Sequence, residues 1–220
     1  MGVAGLLAGC VHYEQDVILR ADGSGEVIVG YFLPDSTRRI MGGYLEPKDP
    51  NASLDRIFDA DAVRREFESY ESLGVRLKDI QIADEETGRH VRMELAFDSL
   101  DGLTKTPLFS ESRVSLRRRD GGPYVFLQTG SIPTRRPAHA VDPFEFMGLR
   151  VELQYTVPGR IHRTNADRHD ENTAAWIFDL DRDPNALRRL ERPHLRIEFE
   201  APETLPEIGQ QHVRIRVPGP

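Results

Sequence analysis

Cysteine is almost missing from this chain of 220 residues; Cys10 is the only one. No intramolecular disulfide can form, and no cysteine-rich metal site can be built. Lysine is nearly as scarce, with Lys48, Lys78 and Lys105 alone among 29 basic residues. Positive charge is also outweighed, since 36 acidic residues give a formal net charge of -7. A surface of that sign repels phosphate, so nucleic acid is not expected as a partner. No apolar run approaches the ~18 residues of a membrane-spanning helix. There is no Gly-x-Ser-x-Gly elbow, no fixed-period repeat and no low-complexity tract. With no catalytic constellation in view, the chain is expected to be no enzyme and to need no cofactor or metal.

What is present suffices for a folded core: 39% of the residues are hydrophobic and 30% are charged. Alternation over residues 12–20 sets Tyr13, Val17 and Leu19 against Glu14, Asp16 and Arg20. After the turn cluster at 21–25 it resumes through Val27, Val29, Tyr31 and Leu33, which predicts a hairpin. Residues 47–53 read as loop. Asp59 or Asp61 caps a predicted helix that runs to about Leu73 and stops at Gly74. Its Val63, Phe67, Tyr70 and Leu73 fall on one face, while Arg64, Arg65, Glu66 and Glu68 point to water.

A second hairpin is predicted from residues 75–83 and 90–97, followed by a short helical turn near 99–103. A third spans residues 113–119 and 124–128 around Asp120-Gly121-Gly122-Pro123. Residues 130–143, with Pro133, Pro137 and Pro143, read as a long connector. Strands are expected at 150–157, 173–180 and 194–199, with a short helix at 184–190. The expected fold class is α+β: a largely antiparallel sheet built from hairpins, with one or two helices packed on one face.

Several apparent motifs fail on chemistry. Gly23-x-Gly25 lacks the third glycine of a dinucleotide fingerprint, and a strand follows where a helix is required. His162, Asp167, His169 and Asp170 supply nitrogen and oxygen ligands without a metal-site spacing. Asp179-x-Asp181-x-Asp183 has Pro184 where a calcium loop wants glycine and Leu190 where it wants a carboxylate. Arg117, Arg118 and Arg119, with Arg135 and Arg136, form basic clusters. They would engage anionic lipid headgroups only if several face the surface together, each contributing about 1 kcal/mol.

The first residues are uncharged and apolar, ending Leu7-Ala8-Gly9-Cys10. This resembles the end of a bacterial lipoprotein signal peptide with its lipobox, which implies that Cys10 carries a lipid and that residues 1–9 are a signal remnant. No basic residue precedes the apolar stretch, so the signal is expected to continue upstream of Met1. Because the strand pattern starts at about His12, a lipid on Cys10 would hold the domain directly against a membrane, with the first hairpin near the lipid.

Within residues 151–180, Pro158-Gly159 ends one strand, Thr164-Asn165 opens a polar turn, and the next strand carries Trp176. With Cys10 and Gly23, this pattern resembles mycobacterial LppM-type lipoproteins. Pro158, Gly159 and Trp176 themselves are expected to be structural, a bend and a core ring. The resemblance implies an extracytoplasmic domain, residues 10–201, that binds a lipid or glycolipid in a hydrophobic cavity, followed by a proline-rich tail at 202–220. Such lipoproteins often end in a membrane helix, whereas this chain ends in Val217-Pro218-Gly219-Pro220. The expected function is that of a membrane-anchored, non-enzymatic lipoprotein binding an envelope lipid; the alternative is an envelope structural or protein-interaction module without a small ligand.

Overall fold

In a computed structural model the described residues are 11–35, 59–109, 112–119, 121–130 and 148–209. Alternating burial makes eleven strands among these residues: β1 (His12–Leu19), β2 (Gly25–Pro34), β3 (Val75–Glu85), β4 (Gly88–Phe97), β5 (Ser112–Arg118), β6 (Tyr124–Gly130), β7 (Arg150–Thr156), β8 (Ile161–Thr164), β9 (Arg168–His169), β10 (Thr173–Asp179) and β11 (His194–Phe199). They form a seven-stranded sheet, β3-β4-β2-β1-β7-β10-β9, and a four-stranded sheet, β5-β6-β11-β8.

Among the described residues three short helices are complete: α1 (Ala60–Glu68), α2 (Leu100–Leu103) and α3 (Ala186–Glu191). The side chain of Asp59 caps α1 by accepting from the amides of Asp61 and Ala62 at 2.9 and 3.1 Å. A 3-10 turn follows at Glu71–Leu73, and Gly74 ends it at φ 77°, a left-handed conformation that favours glycine.

The expected α+β arrangement is therefore overturned. The molecule is largely β, and the layer opposite the large sheet is a second sheet. Period-2 alternation tells which residues face a core and not which sheet a strand joins. The 112–130 hairpin and β11, expected in one sheet with the rest, pair with each other instead. The chain after Pro158-Gly159 likewise leaves the large sheet to form β8 on the far side of β11.

Register explains the core. Val17 stands opposite Val27 and beside Tyr155, Val29 opposite Met93, and Leu153 opposite Trp176, so apolar positions of successive strands share one face. That face meets Leu116, Tyr124, Phe126, Leu195, Ile197 and Phe199 of the small sheet in one buried cluster. Phe126 and Tyr155 meet across the layers with ring centroids 4.8 Å apart. Burying each such side chain contributes roughly 1.5–3 kcal/mol.

β1 is the central strand. It pairs antiparallel with β2 and parallel with β7, and the amide of Arg150 donates to the carbonyl of Val11 at 2.8 Å. Packing also continues past Ala201: Leu205 and Ile208 are buried, and Leu116 and Ile208 exchange backbone hydrogen bonds at 3.1 and 2.9 Å. The predicted loop at 47–53, most of the predicted connector at 130–143 and the alternating stretch at 212–217 lie outside the described residues. Among the described residues no helix is long and apolar enough to cross a membrane.

Candidate functional site

The Pro158-Gly159, Thr164-Asn165 and Trp176 positions converge where the chain passes between the sheets. A Cβ on Gly159 would lie 1.8 Å from the carbonyl oxygen of Glu200, so only glycine lets the backbone pass so close to the end of β11. The hydroxyl of Thr164 donates to the carbonyl of Arg196 at 2.8 Å. Asn165 does more. Its amide nitrogen donates to the carbonyl of His194 at 2.7 Å, and its oxygen accepts from the Arg196 amide at 2.9 Å and from the Trp176 indole at 3.2 Å. The junction thus positions strands and rings.

Several other polar residues around this loop are engaged locally. His162 pairs with Glu200 at 3.0 Å, and Asp167 accepts from the Ile177 amide and from Arg189. Asp170 accepts from the amides of Asn172 and Thr173. Asp179 faces Arg150 and Arg182, Asp181 accepts from the Gly148 amide, and Asp183 binds Arg189 and accepts from the Asn185 amide. Among the described residues no three His, Cys, Asp or Glu side chains are grouped to hold a metal ion.

The arginine run divides. Arg118 lies on the core side of β5 opposite Tyr124, paired with Glu203 at 2.9 Å. Strand alternation turns Arg117 to the opposite face, and Arg117 and Arg119 are exposed. The three do not present one joint basic surface. Arg135 and Arg136 lie outside the described residues, as do Leu7, Ala8, Gly9 and Cys10. Val11, bonded to Cys10, leads directly into β1.

Two features escaped the sequence reading. Between the sheets runs a buried polar chain: the Tyr13 hydroxyl donates to Gln15 at 2.9 Å, the Tyr155 hydroxyl donates to Gln128, and Gln128 donates to Ser112 at 3.0 Å. Burial pushes the phenols of Tyr13, Tyr31 and Tyr155 well above the usual tyrosine range. They stay protonated and act as hydrogen-bonding groups. The signal was available, because Gln15 and Gln128 fall at inward positions of their strands.

The second feature is a cleft of about 210 Å3 between α1 and β3, lined by Arg64, Glu68, Glu71, Leu77, Lys78, Asp79 and Ile80. Arg64, Glu68 and Glu71 follow one another at helical spacing and form one wall. Leu77 and Ile80 are its apolar residues. Ligand pockets usually hold about 300–1,000 Å3 and are mostly apolar; this cleft is smaller and mostly charged.

No family model matches the chain, and no curated protein matches it. A solved structure does: the NMR structure of the Mycobacterium tuberculosis LppM protein folded domain, at a TM-score of 0.44 and 12% identity, covering 91% of this chain and 96% of that one. The two resemble each other in structure.

Proposed function

We propose that this chain is the extracytoplasmic domain of a membrane-anchored lipoprotein, held by a lipid on Cys10, that works through its surface and carries no enclosed lipid. The observation that carries the choice is the filled space between the sheets. Phe97, Phe109, Tyr124, Phe126, Trp176, Phe178 and Phe199 are each at most 2% exposed there or against the adjoining helices. An acyl chain would have to displace these buried side chains from the close packing usual in a protein interior. The domain has no catalytic role in this reading.

Leu7-Ala8-Gly9-Cys10 supports the anchor, and β1 supports its geometry. His12 begins the central strand two residues after Cys10, so the domain stands close to the anchor. β1 then runs away from that point for eight residues, about 26 Å at strand rise. The open end of the first hairpin, with His12 opposite Phe32, neighbours Cys10, and the turn at Asp22 lies at the far end.

Two measurements test the reading. The gene with its upstream codons is expressed and palmitate labelling is compared between the parent chain and Cys10→Ser; equal labelling overturns the anchor. Native mass spectrometry of the membrane-extracted protein then looks for bound lipid beyond the covalent anchor. A stoichiometric lipid that survives in Cys10→Ser overturns the surface-contact reading in favour of a carrier.

A further inference from the structure

Among the described residues the two sheets have four edge strands, and three of them offer little free edge. β9 has two residues and β8 has four with a register irregularity. β5 receives Ile208 through a reciprocal pair of backbone hydrogen bonds. The fourth, β3, is an outermost strand of eleven residues. Its single irregularity falls between Leu77 and Asp79, and from Asp79 to Glu85 it pairs with β4 in unbroken register.

The turn decides which backbone groups point outward. Glu85 and Gly88 flank a two-residue turn and so form its hydrogen-bonded closing pair. Alternation then turns the N–H and C=O of Ile80, Ile82 and Asp84 away from β4, toward the open edge. Beside the Ile80 end of that row lies the cleft, walled by the Arg64, Glu68 and Glu71 stripe and containing Leu77 and Ile80.

Charge decides the occupant. The cleft's two cations are both engaged, Arg64 with Asp61 at 3.1 Å and Lys78 with Glu26 at 3.5 Å. Its carboxylates Glu68, Glu71 and Asp79 therefore stand in excess, and the exposed Glu85 and Glu86 continue the negative run along the edge. We infer that β3 is a strand-addition site: an extended segment of a partner protein, alternating basic and apolar residues, pairs with Ile80, Ile82 and Asp84 and lays basic side chains beside Glu68 and Glu71. Main-chain hydrogen bonds supply the attachment and the acidic wall supplies the selection. The edge site rests on the surface-contact reading, and it does not require a lipid on Cys10.

The test uses the whole chain and an acetylated seven-residue peptide of alternating lysine and valine. Binding is followed by fluorescence anisotropy, and amide hydrogen exchange is measured residue by residue. The expected result is binding with slowed exchange at Ile80, Ile82 and Asp84. The glutamate-valine peptide, and the Glu68→Lys, Glu71→Lys double variant, each weaken binding by about tenfold or more. Asp84→Pro removes one outward N–H; should it fail to fold, N-methylation of alternate peptide residues tests the same hydrogen bonds on the ligand, and is expected to abolish binding. No binding, protection elsewhere, or indifference to N-methylation and to charge reversal overturns the site. Those results leave the anchor and the filled core standing, whereas a stoichiometric bound lipid counts against surface contact itself.

Discussion

The indole N–H of Trp176 donates to the side-chain oxygen of Asn165 at 3.2 Å, tying a ring in the large sheet to the residue that follows β8 of the small one. The same oxygen also receives the Arg196 amide. One asparagine thereby fixes three strands.

Asn165→Ala should lower stability by about 1–3 kcal/mol, because the Trp176 and Arg196 donors lose their acceptor. Asn165→Asp keeps that acceptor but turns the donor to His194 into a second oxygen facing that carbonyl; with the Trp176 and Arg196 donors still paired, it should cost less. Urea unfolding followed by tryptophan fluorescence checks the ranking. The chain has a single tryptophan, so the signal reports on this junction. Equal loss for both variants would show that the oxygen is not the important group.

Gly159→Ala and Gly30→Ala should have opposite signs. At Gly159 the new methyl meets the Glu200 carbonyl, and the crossing must shift, at about 1–3 kcal/mol or more. At Gly30 nothing lies within 4 Å, and replacing a mid-strand glycine should stabilise by roughly 0.5–1 kcal/mol. Thermal melts of the two variants against the parent chain decide it.

Asp16 lies on the outer face of the central strand, with one carboxylate oxygen buried and without a hydrogen-bond partner. Desolvation raises its pKa, against a smaller lowering by a hydrogen bond from Gln154. A carboxyl whose folded pKa exceeds its unfolded one destabilises the fold while charged, and the cost is relieved as pH falls through the folded pKa. Asp16→Asn should therefore raise the melting temperature at pH 7, with the advantage shrinking as the pH approaches the unfolded value. The gain is modest, since the group is only partly buried and solvent screens it. A variant less stable at pH 7 would contradict this assignment.

The buried phenols make the opposite limb. Tyr13, Tyr31 and Tyr155 all have raised folded pKa values, so stability present below the ordinary tyrosine pKa, about 10, is lost as pH rises beyond it. Ultraviolet titration should show these three ionising only together with unfolding. Reversible ionisation of all six tyrosines before unfolding would mean the chain between the sheets is open to water.

Much of the local structure was legible from residue order, for stated reasons. Asp59 and Gly74 bracket α1 and its 3-10 turn because a carboxylate satisfies the first helical amides and glycine accepts the left-handed stop. The turns at 21–25 and 121–123 separate strands whose alternation is clear. Partition of those strands was not legible, since Phe126 and Leu153 carry the same inward signal and belong to different sheets. Nor was the parallel pairing of β1 with β7, which joins residues far apart in sequence by backbone bonds that leave no mark on side-chain type. The run Arg117 to Arg119 read as a basic cluster whose joint facing residue order alone does not fix, and the strand's alternation splits it. The cleft at α1 required a contact between Glu68 and the neighbourhood of Ile80 that no local pattern encodes.

The central place of β1 also constrains biosynthesis. A strand whose two neighbours are β2 and β7 cannot complete its pairing until about residue 156 has been made. Nascent chain that has passed only its first hairpin holds one open flank of the future sheet centre, and must keep it from other chains while more than a hundred residues follow. Long-range closure of this kind is slow. The interval between synthesis of the first strand and arrival of the seventh is thus when this molecule is most exposed to aggregation, and when a holdase would matter most.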